Sequence, residues 1–433
     1  MLRGPFLTDA DPRAKVKGSR DPLGLQAIWV SLGRHVVGNL TTVTQSVREF
    51  TTTLLGYCFV EHLRDAGSKE SGLPAFLKWE QLCGYVQAER FGQNAGFRGI
   101  ERVSRTLRET GVVTLGAAPQ HQILSKQKVY GLWGLFTVPS HSSGLLEGEP
   151  VRLTNEAREF VQSEYLSRLD KAGFRDGREI LDRLAEPTVK VDLRRKDRRL
   201  VDAVADLLRP KLSHAERTFY RDTLVRGGPR DRTSGLQVLM ARLMPGLWND
   251  SFAFDRTEVH LLAEHARREM RSDVLADRLH RIGWGEALVA PAAAAFAFLQ
   301  SCGGQDPAAA AADIAARWGG GLPWLDLEGV LSLADEIASA TGSQEVGGRW
   351  CEVGRALRQG DWPALITRLL EQNRWVMERR GGAPWIEVRN GRLVVRFRDE
   401  LAALPEPGEL EGSWRYTYFL DSLRTVSRAV GEV

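Results

Sequence analysis

The chain has 433 residues, too many for one ordinary hydrophobic core, and its 43% hydrophobic and 26% charged residues are those of a globular protein of two or three domains. The basic excess is 59 minus 55, or +4, which excludes a global electrostatic argument for a polyanionic partner and leaves only local clusters to carry one. Of the 59 basic residues 10 are lysine and 49 arginine, a bias that suits forked contacts to phosphate but equally an arginine-rich genome.

Cys58, Cys83, Cys302 and Cys351 have no short spacing, so neither a disulfide framework nor a zinc knuckle is expected, and a reducing cytoplasm is the simplest setting. The opening MLRGPFLTDADPRAKVKGSRD carries charge without an apolar core, unlike a signal peptide. The most apolar run, ALVAPAAAAFAFL at 287–299, has 13 residues with Pro291 inside, too short for a bilayer span, so a soluble protein without a membrane partner is expected.

Residues 1–24, polar and rich in Gly, Pro and charge, read as a flexible arm whose Arg3, Arg13, Lys15, Lys17 and Arg20 either touch a polyanion or are simply solvated. From Thr41, Val43, Val47, Phe50, Leu54 and Cys58 recur at helical steps and predict one buried stripe. After the break DAGSKESGLP, the run AFLKWEQLCGYVQAERFG predicts a second helix, with Leu82, Tyr85, Val86 and Glu89 in period. The linker GQNAG leads to GFRGIERVSRTLRETG, a third helix over about 97–110 ending near Gly111. VVTLG at 112–116 and VYGLWGLFTV at 129–138 predict two strands around a loop with Pro119 and Gln120. RLTNEAREFVQSEYLSRL then predicts a helix with Thr154 as N-cap and Glu156 in its first turn.

Helix, helix, turn, helix, two strands, helix is the order of a winged helix, in which the third helix enters the major groove and the strand pair forms the wing. Residues 43–169 therefore resemble a winged helix-turn-helix domain of the bacterial regulator type, with RLTNEAREFV similar to the run from wing into closing helix. The resemblance implies DNA contact by the third helix. The loop at 117–128 is long for a wing, and no small strand separates the first two helices.

Beyond residue 170 the pattern is chiefly helical. Ser213 with Glu216 forms a predicted capping box, and FDRTEVHLLAEHARREM and WPALITRLLEQNRWVMERR are amphipathic. SCGGQDPAAAAADIAARWGGG separates helices without a marked domain break. In WIEVRNGRLVVRF, Asn390 and Gly391 predict a two-residue hairpin turn flanked by Trp385, Ile386 and Val388 and by Leu393, Val395 and Phe397. A last helix, WRYTYFLDSLRTVSRAV, is expected to dock against that hairpin. No internal repeat is visible.

The third helix sets Arg98, Arg102 and Arg105, with Arg108 at the edge, on one arc and Ile100, Val103 and Leu107 on another, with only Glu101 and Glu109 as nearby acids. Four phosphates neutralised there would give a log–log salt slope of about −3.6 on duplex DNA. Arginine's fork reaches two phosphate oxygens, or the O6 and N7 of guanine, at once. A second cluster, KVDLRRKDRR, holds Lys190, Arg194, Arg195, Lys196, Arg198 and Arg199 against Asp192 and Asp197; it reads as a linker tracking a nucleic-acid backbone or as a charged surface helix. Tyr130, Trp133 and Phe136 either stack bases or fill a core.

Common enzyme motifs are missing. There is no Gly-Lys dipeptide, hence no Walker A loop, no G-x-S-x-G elbow, and Gly283-Trp284-Gly285 lacks the third glycine of a dinucleotide fingerprint. In HLLAEH, His260 and His265 stand five apart, about 140° round a helix, too divergent for one zinc ion; His260 and Glu264 alone can still share one. Scattered acids such as Asp250, Asp255, Glu258 and Glu387 leave a metal-dependent nuclease as a lesser alternative, although no lysine follows Glu387 by two residues.

The expected architecture is mainly α: an arm at 1–24, a winged-helix-like domain at 25–170, a basic helical connector at 171–235, a helical domain at 236–383, and a β-hairpin with a closing helix at 384–433. The chain as a whole resembles accessory proteins of bacterial antiviral defence clusters. That resemblance implies a non-enzymatic nucleic-acid-binding or scaffold subunit, without metal or cofactor, that works with partner proteins in the cytoplasm. The alternative is a protein-docking subunit that uses the same winged helix.

Overall fold

The computed structural model describes residues 21–92, 96–399 and 402–431. The protein is mainly α-helical, with strands only in two-stranded antiparallel ribbons among the described residues. Two compact units divide it, each assembled from two stretches of chain. The described residues of Val37–Phe252 and Phe419–Val433 form one, and those of Met1–Val36 and Ala253–Tyr418 the other. Helix α1 (Leu25–Arg34) belongs to the latter.

Helix α2 (Val47–Asp65) is the axis of the first unit. Ser46 caps it, its hydroxyl accepting from Arg48 N at 3.0 Å while Glu49 Oε2 accepts from Ser46 N at 3.2 Å. The single buried stripe expected from its sequence is instead a helix buried nearly all round, from Val47 to Val60. Polar positions tolerate this because Thr52 and Thr53 return their hydroxyls to the carbonyls of Arg48 and Glu49, at 2.8 and 2.7 Å. Helix α3 (Leu73–Phe91) crosses α2 at Gly56, where a Cβ would stand 2.7 Å from the Phe76 ring. Trp79 Nε1 seals the crossing by donating to Thr52 O at 2.9 Å.

Helix α4 (Ile100–Glu109) and strand β1 (Val112–Gly116) follow as expected. The next expected strand, 129–138, is helical: α5 (Gln127–Tyr130) and α6 (Leu132–Ser142). Leu132, Phe136 and Pro139 are buried at helical spacing, Phe136 against Phe50 at 5.1 Å between ring centres, and Trp133 packs on Tyr57 and Phe76, at 5.2 Å each. Core filling thus overrides the strand propensity of Trp133 and Phe136, which pack, whereas Tyr130 stays exposed. After a short ribbon, β2 (Leu146–Glu147) with β3 (Arg152–Leu153), Thr154 caps the next helix, Asn155–Phe160, as expected. The partner of β1 is β4 (Thr188–Asp192), with Val112 opposite Asp192 and Gly116 opposite Thr188. The pairing of 112–116 with 129–138 on which the expected wing rested is therefore not formed.

Two π-helical turns, Val161–Leu166 and Arg221–Val225, adjoin a buried polar hub. The hydroxyls of Thr51, Tyr165 and Tyr220 lie within 2.9 to 3.2 Å of one another. Beside them Arg48 pairs with Glu216, which also closes the expected capping box with Ser213. The last helix, Leu420–Val430, belongs to this unit, so the docking on the hairpin expected for it is not what its packing serves. Arg221 Nη2 donates to Val430 O at 3.2 Å, and Arg428 pairs with Asp250 at 2.5 Å. Residues 414–418 are not helical; Tyr418 and Phe419, at φ 48° and 64°, turn the chain from one unit's fold into the other's.

In the other unit the described part of the expected arm, from Asp21, is held by hydrogen bonds. Its carboxylate accepts from Leu25 N and Gln26 N at 2.8 and 2.9 Å, and the carbonyls of Pro22 and Leu23 accept from Asn373 and Gln372 at 2.9 Å. Arg3, Arg13, Lys15, Lys17 and Arg20 lie outside the described residues. The apolar run 287–299 ends a 27-residue helix, Asp273–Leu299, rather than standing alone. By length and composition it is the one helix among the described residues able to cross a membrane, yet most of it is buried within the protein. Strands β5 (Ile386–Arg389) and β6 (Arg392–Val395) pair through Asn390 and Gly391, at φ 50° and 74°, the expected turn.

Candidate nucleic-acid interface

Helix α4 starts two residues after Arg98. Gly99, at φ 88°, breaks the helical path before Ile100, so the arc drawn through Arg98 does not exist. Arg98 turns inward, its Nε donating to Tyr130 O at 3.0 Å, and joins Glu49 and Glu80 around a cavity of about 30 Å³. Burial pushes both carboxyls up to about 7, against the hydrogen bonds they accept and the charge of Arg98. Glu80 accepts from Gln127 Nε2 and Leu132 N, at 2.7 Å each, whereas Glu49 Oε1 is buried with no partner. Residues 49, 80 and 98 share no sequence spacing, so nothing local announces this group.

The rest of α4 matches the expected division. Val103 and Leu107 are buried, and Arg102, Arg105 and Arg108 are exposed with no ion pair or side-chain hydrogen bond among the described residues. Strand β1 leads away from the helix end, and its register with β4 delivers the second basic cluster to the same place. Leu193 N donates to Gly111 O at 2.9 Å. Arg194, expected as a nucleic-acid contact, is a clamp: its Nε and Nη2 fork onto Glu89 at 3.0 and 3.3 Å, and Nη2 also donates to Leu107 O, the α4 C-terminal carbonyl, at 3.1 Å.

The turn that follows is built by the cluster's own acids. Asp192 Oδ1 accepts from Arg194 N and Arg195 N at 3.2 and 3.0 Å, hydrogen bonds that hold its carboxyl below the usual range. Asp197 is buried, accepting from Asp192 N and Arg183 Nη2, at 2.7 Å each. With both acids engaged in the turn, Arg195 and Lys196 project into solvent, their side chains in no hydrogen bond or ion pair among the described residues, and the charge of Arg195 helps hold Asp192 ionised. Arg198 begins the helix Arg198–Leu207 and stands 3.8 Å from Asp202, while Arg199 turns to Ala172 O at 3.5 Å and the Phe174 ring at 5.9 Å. The cluster is thus a strand end, a turn and a helix start, not a linker.

No protein-family model, curated protein or solved structure matches this chain. Its chemistry must be read from the side chains alone. Five exposed cations without a side-chain hydrogen bond or ion pair among the described residues, Arg102, Arg105, Arg108, Arg195 and Lys196, are carried by one helix and a turn clamped to that helix's end. The outer side of the ribbon adds Lys190, exposed opposite Thr114.

The other candidate residues do not gather. Asp250 is paired with Arg428, Asp255 caps the helix Arg256–Arg268 that holds Glu258 in its first turn, and Glu387 pairs with Arg389 and Arg396. No group of three His, Cys, Asp or Glu suited to a metal ion occurs among the described residues.

Proposed function

We propose that the first unit binds the sugar–phosphate backbone of nucleic acid, most simply duplex DNA, through α4 and the turn at 193–197. The convergence of five exposed cations without a side-chain hydrogen bond or ion pair among the described residues supports this reading; the acids beside Arg195 and Lys196 are engaged in building the turn, and only Glu101 and Glu109 lie near the three arginines of α4. Arginine forks and a lysine point charge neutralise phosphates without base readout, so affinity without strong sequence preference follows. The protein is then a non-enzymatic scaffold subunit, of the kind found in bacterial antiviral defence complexes, that brings partner proteins to nucleic acid. The four cysteines, all free and buried, suit a reducing cytoplasm.

Five neutralised phosphates give a log–log salt slope of about −4.5 on duplex DNA. Replacing Arg102, Arg105 and Arg108 together with Ala reduces it to about −1.8, with the circular-dichroism melt unchanged because none of the three holds a fold contact. Equal slopes for wild type and variant sink the proposal. A second reading, protein docking, draws on Val129, Tyr130 and Val138, which are 51, 47 and 68% exposed on α5 and α6. Such binding would survive the arginine variant and vary little with salt.

A further inference from the structure

The histidines of HLLAEH find a partner that their spacing does not show. His260 meets His280, on the helix Asp273–Leu299, with Nδ1 to Nδ1 at 2.8 Å, while His280 Nε2 lies 3.6 Å from Glu264. One proton serves the Nδ1 contact, so at least one ring is neutral. Burial holds both below the usual histidine range. Around this pair opens a cavity of about 420 Å³, within the size range of small-molecule sites.

Its walls are aromatic, and Arg256 is its cation. Trp284 lies over Gly329, where a Cβ would stand 2.3 Å from the ring, and stacks on His280 at 5.8 Å between ring centres. Trp324 faces the guanidinium of Arg256, 4.2 Å from its ring centre. The Arg256 side chain is only 12% exposed and its nearest carboxylate, Glu411, is 3.8 Å away; no hydrogen bond engages it among the described residues. Neither indole N–H, of Trp284 or Trp324, has an acceptor there. Of the acids at the cavity, Glu264 pairs with Arg267 at 2.8 Å, and Asp326 accepts from Gly329 N through one oxygen at 3.1 Å as the cap of the helix Leu327–Leu331.

A largely buried arginine whose guanidinium makes no hydrogen bond among the described residues suits a ligand that brings acceptors and negative charge, and the solvent-facing indole N–H groups can add donors. Tryptophan walls call for a flat apolar body. We propose that this cavity is a binding site for a small planar aromatic anion, its anionic group on Arg256 and its ring against the tryptophans. Phosphate on a nucleobase and carboxylate on an aromatic ring supply the same chemistry. The site shares no residue with the nucleic-acid surface, so either proposal stands or falls alone.

The test is calorimetric titration of the full chain with adenosine monophosphate and with indole-3-acetate, alongside adenosine, indole and inorganic phosphate. Binding of either anion, with its uncharged counterpart and bare phosphate at least about 10-fold weaker, supports the site and tells the phosphate source from the carboxylate source. Arg256→Gln, at the first helical position after the Asp255 cap, is expected to weaken binding by about 10- to 100-fold. In the wild type, binding also shifts the indole N–H resonances of Trp284 and Trp324, a readout that does not depend on any variant folding. No binding of either anion at millimolar concentration, affinity indifferent to Arg256→Gln in a folded variant, or unmoved indole resonances overturns the proposal.

Discussion

Replacing Arg48 with Met tests the polar hub of the first unit. Arg48 donates to Glu216, to Arg209 O at 2.7 Å and to Lys211 O at 3.2 Å, and both charged side chains are almost wholly buried. Methionine keeps most of the packing volume but strands the Glu216 carboxylate, with Arg168 no nearer than 3.9 Å. Breaking a buried pair costs about 3–5 kcal/mol, and each abandoned carbonyl adds about 1 kcal/mol. The expected loss is therefore about 5–7 kcal/mol in the urea transition of this unit. Burial alone would raise the Glu216 pKa, yet the Arg48 hydrogen bond overrides it and holds the carboxyl below its usual 4.5. The pair's stability is present above that value and lost as pH falls through the depressed one, and Arg48→Met should erase this acid-side decline. Arg48→Met with Glu216→Leu removes both charges and should recover at least about 2 kcal/mol relative to the sum of the single changes. A single-variant loss under about 1 kcal/mol, or strict additivity, refutes the idea that the pair holds the hub.

The carboxyls of Glu49, Glu80 and Glu286 work in the opposite sense. Each is pushed from 4.5 to about 7, burial being the main cause, so the folded state holds their protons more tightly; their contribution is greatest below 4.5 and is lost as pH rises to about 7. A shift of this size is worth up to about 3 kcal/mol per group, so Glu286→Gln should flatten the fall in stability between pH 5 and 7.5, and an unchanged pH profile by denaturant titration would count against it. Gly329→Ala places a methyl where the Trp284 ring now lies, so a loss of about 1–3 kcal/mol and a shifted Trp284 indole resonance are expected; an unperturbed resonance would contradict the close approach. Gly391→Ala, at φ 74° in the hairpin turn, should cost about 1 kcal/mol in thermal melts, whereas Asn390→Gly should be nearly neutral.

What the sequence announced correctly concerns groups within one turn of each other. The Ser213 and Glu216 box, the Thr154 cap and the Asn390-Gly391 turn are satisfied by neighbours three or fewer residues away, so no distant contact overrules them. The strand expected at 129–138 failed because Phe136 and Trp133 meet Phe50, Tyr57 and Phe76 of α2 and α3, which no local window contains. The partner of β1 lies beyond four intervening helices for the same reason, and the last helix joins a unit begun at Val37 without any signal in its own residues.

The basic surface shows how far charge counting reaches. A helical projection identified Arg102, Arg105 and Arg108 because they lie inside an unbroken helix, and misplaced Arg98 because a left-handed Gly99 intervenes. Counting treated the cations of 190–199 as equivalent, yet Arg194 is bound to Glu89 and Leu107 O, and Arg199 turns to Ala172 O and Phe174, while the side chains of Arg195 and Lys196 make no hydrogen bond or ion pair among the described residues. The acids that balance the cluster on paper, Asp192 and Asp197, have their oxygens turned to backbone N–H groups and Arg183. A net charge of +4 over 433 residues therefore says little about the field above α4. What counts there is which cations the fold leaves unpaired, and a single clamping arginine, Arg194, sets how two segments distant in sequence present theirs together.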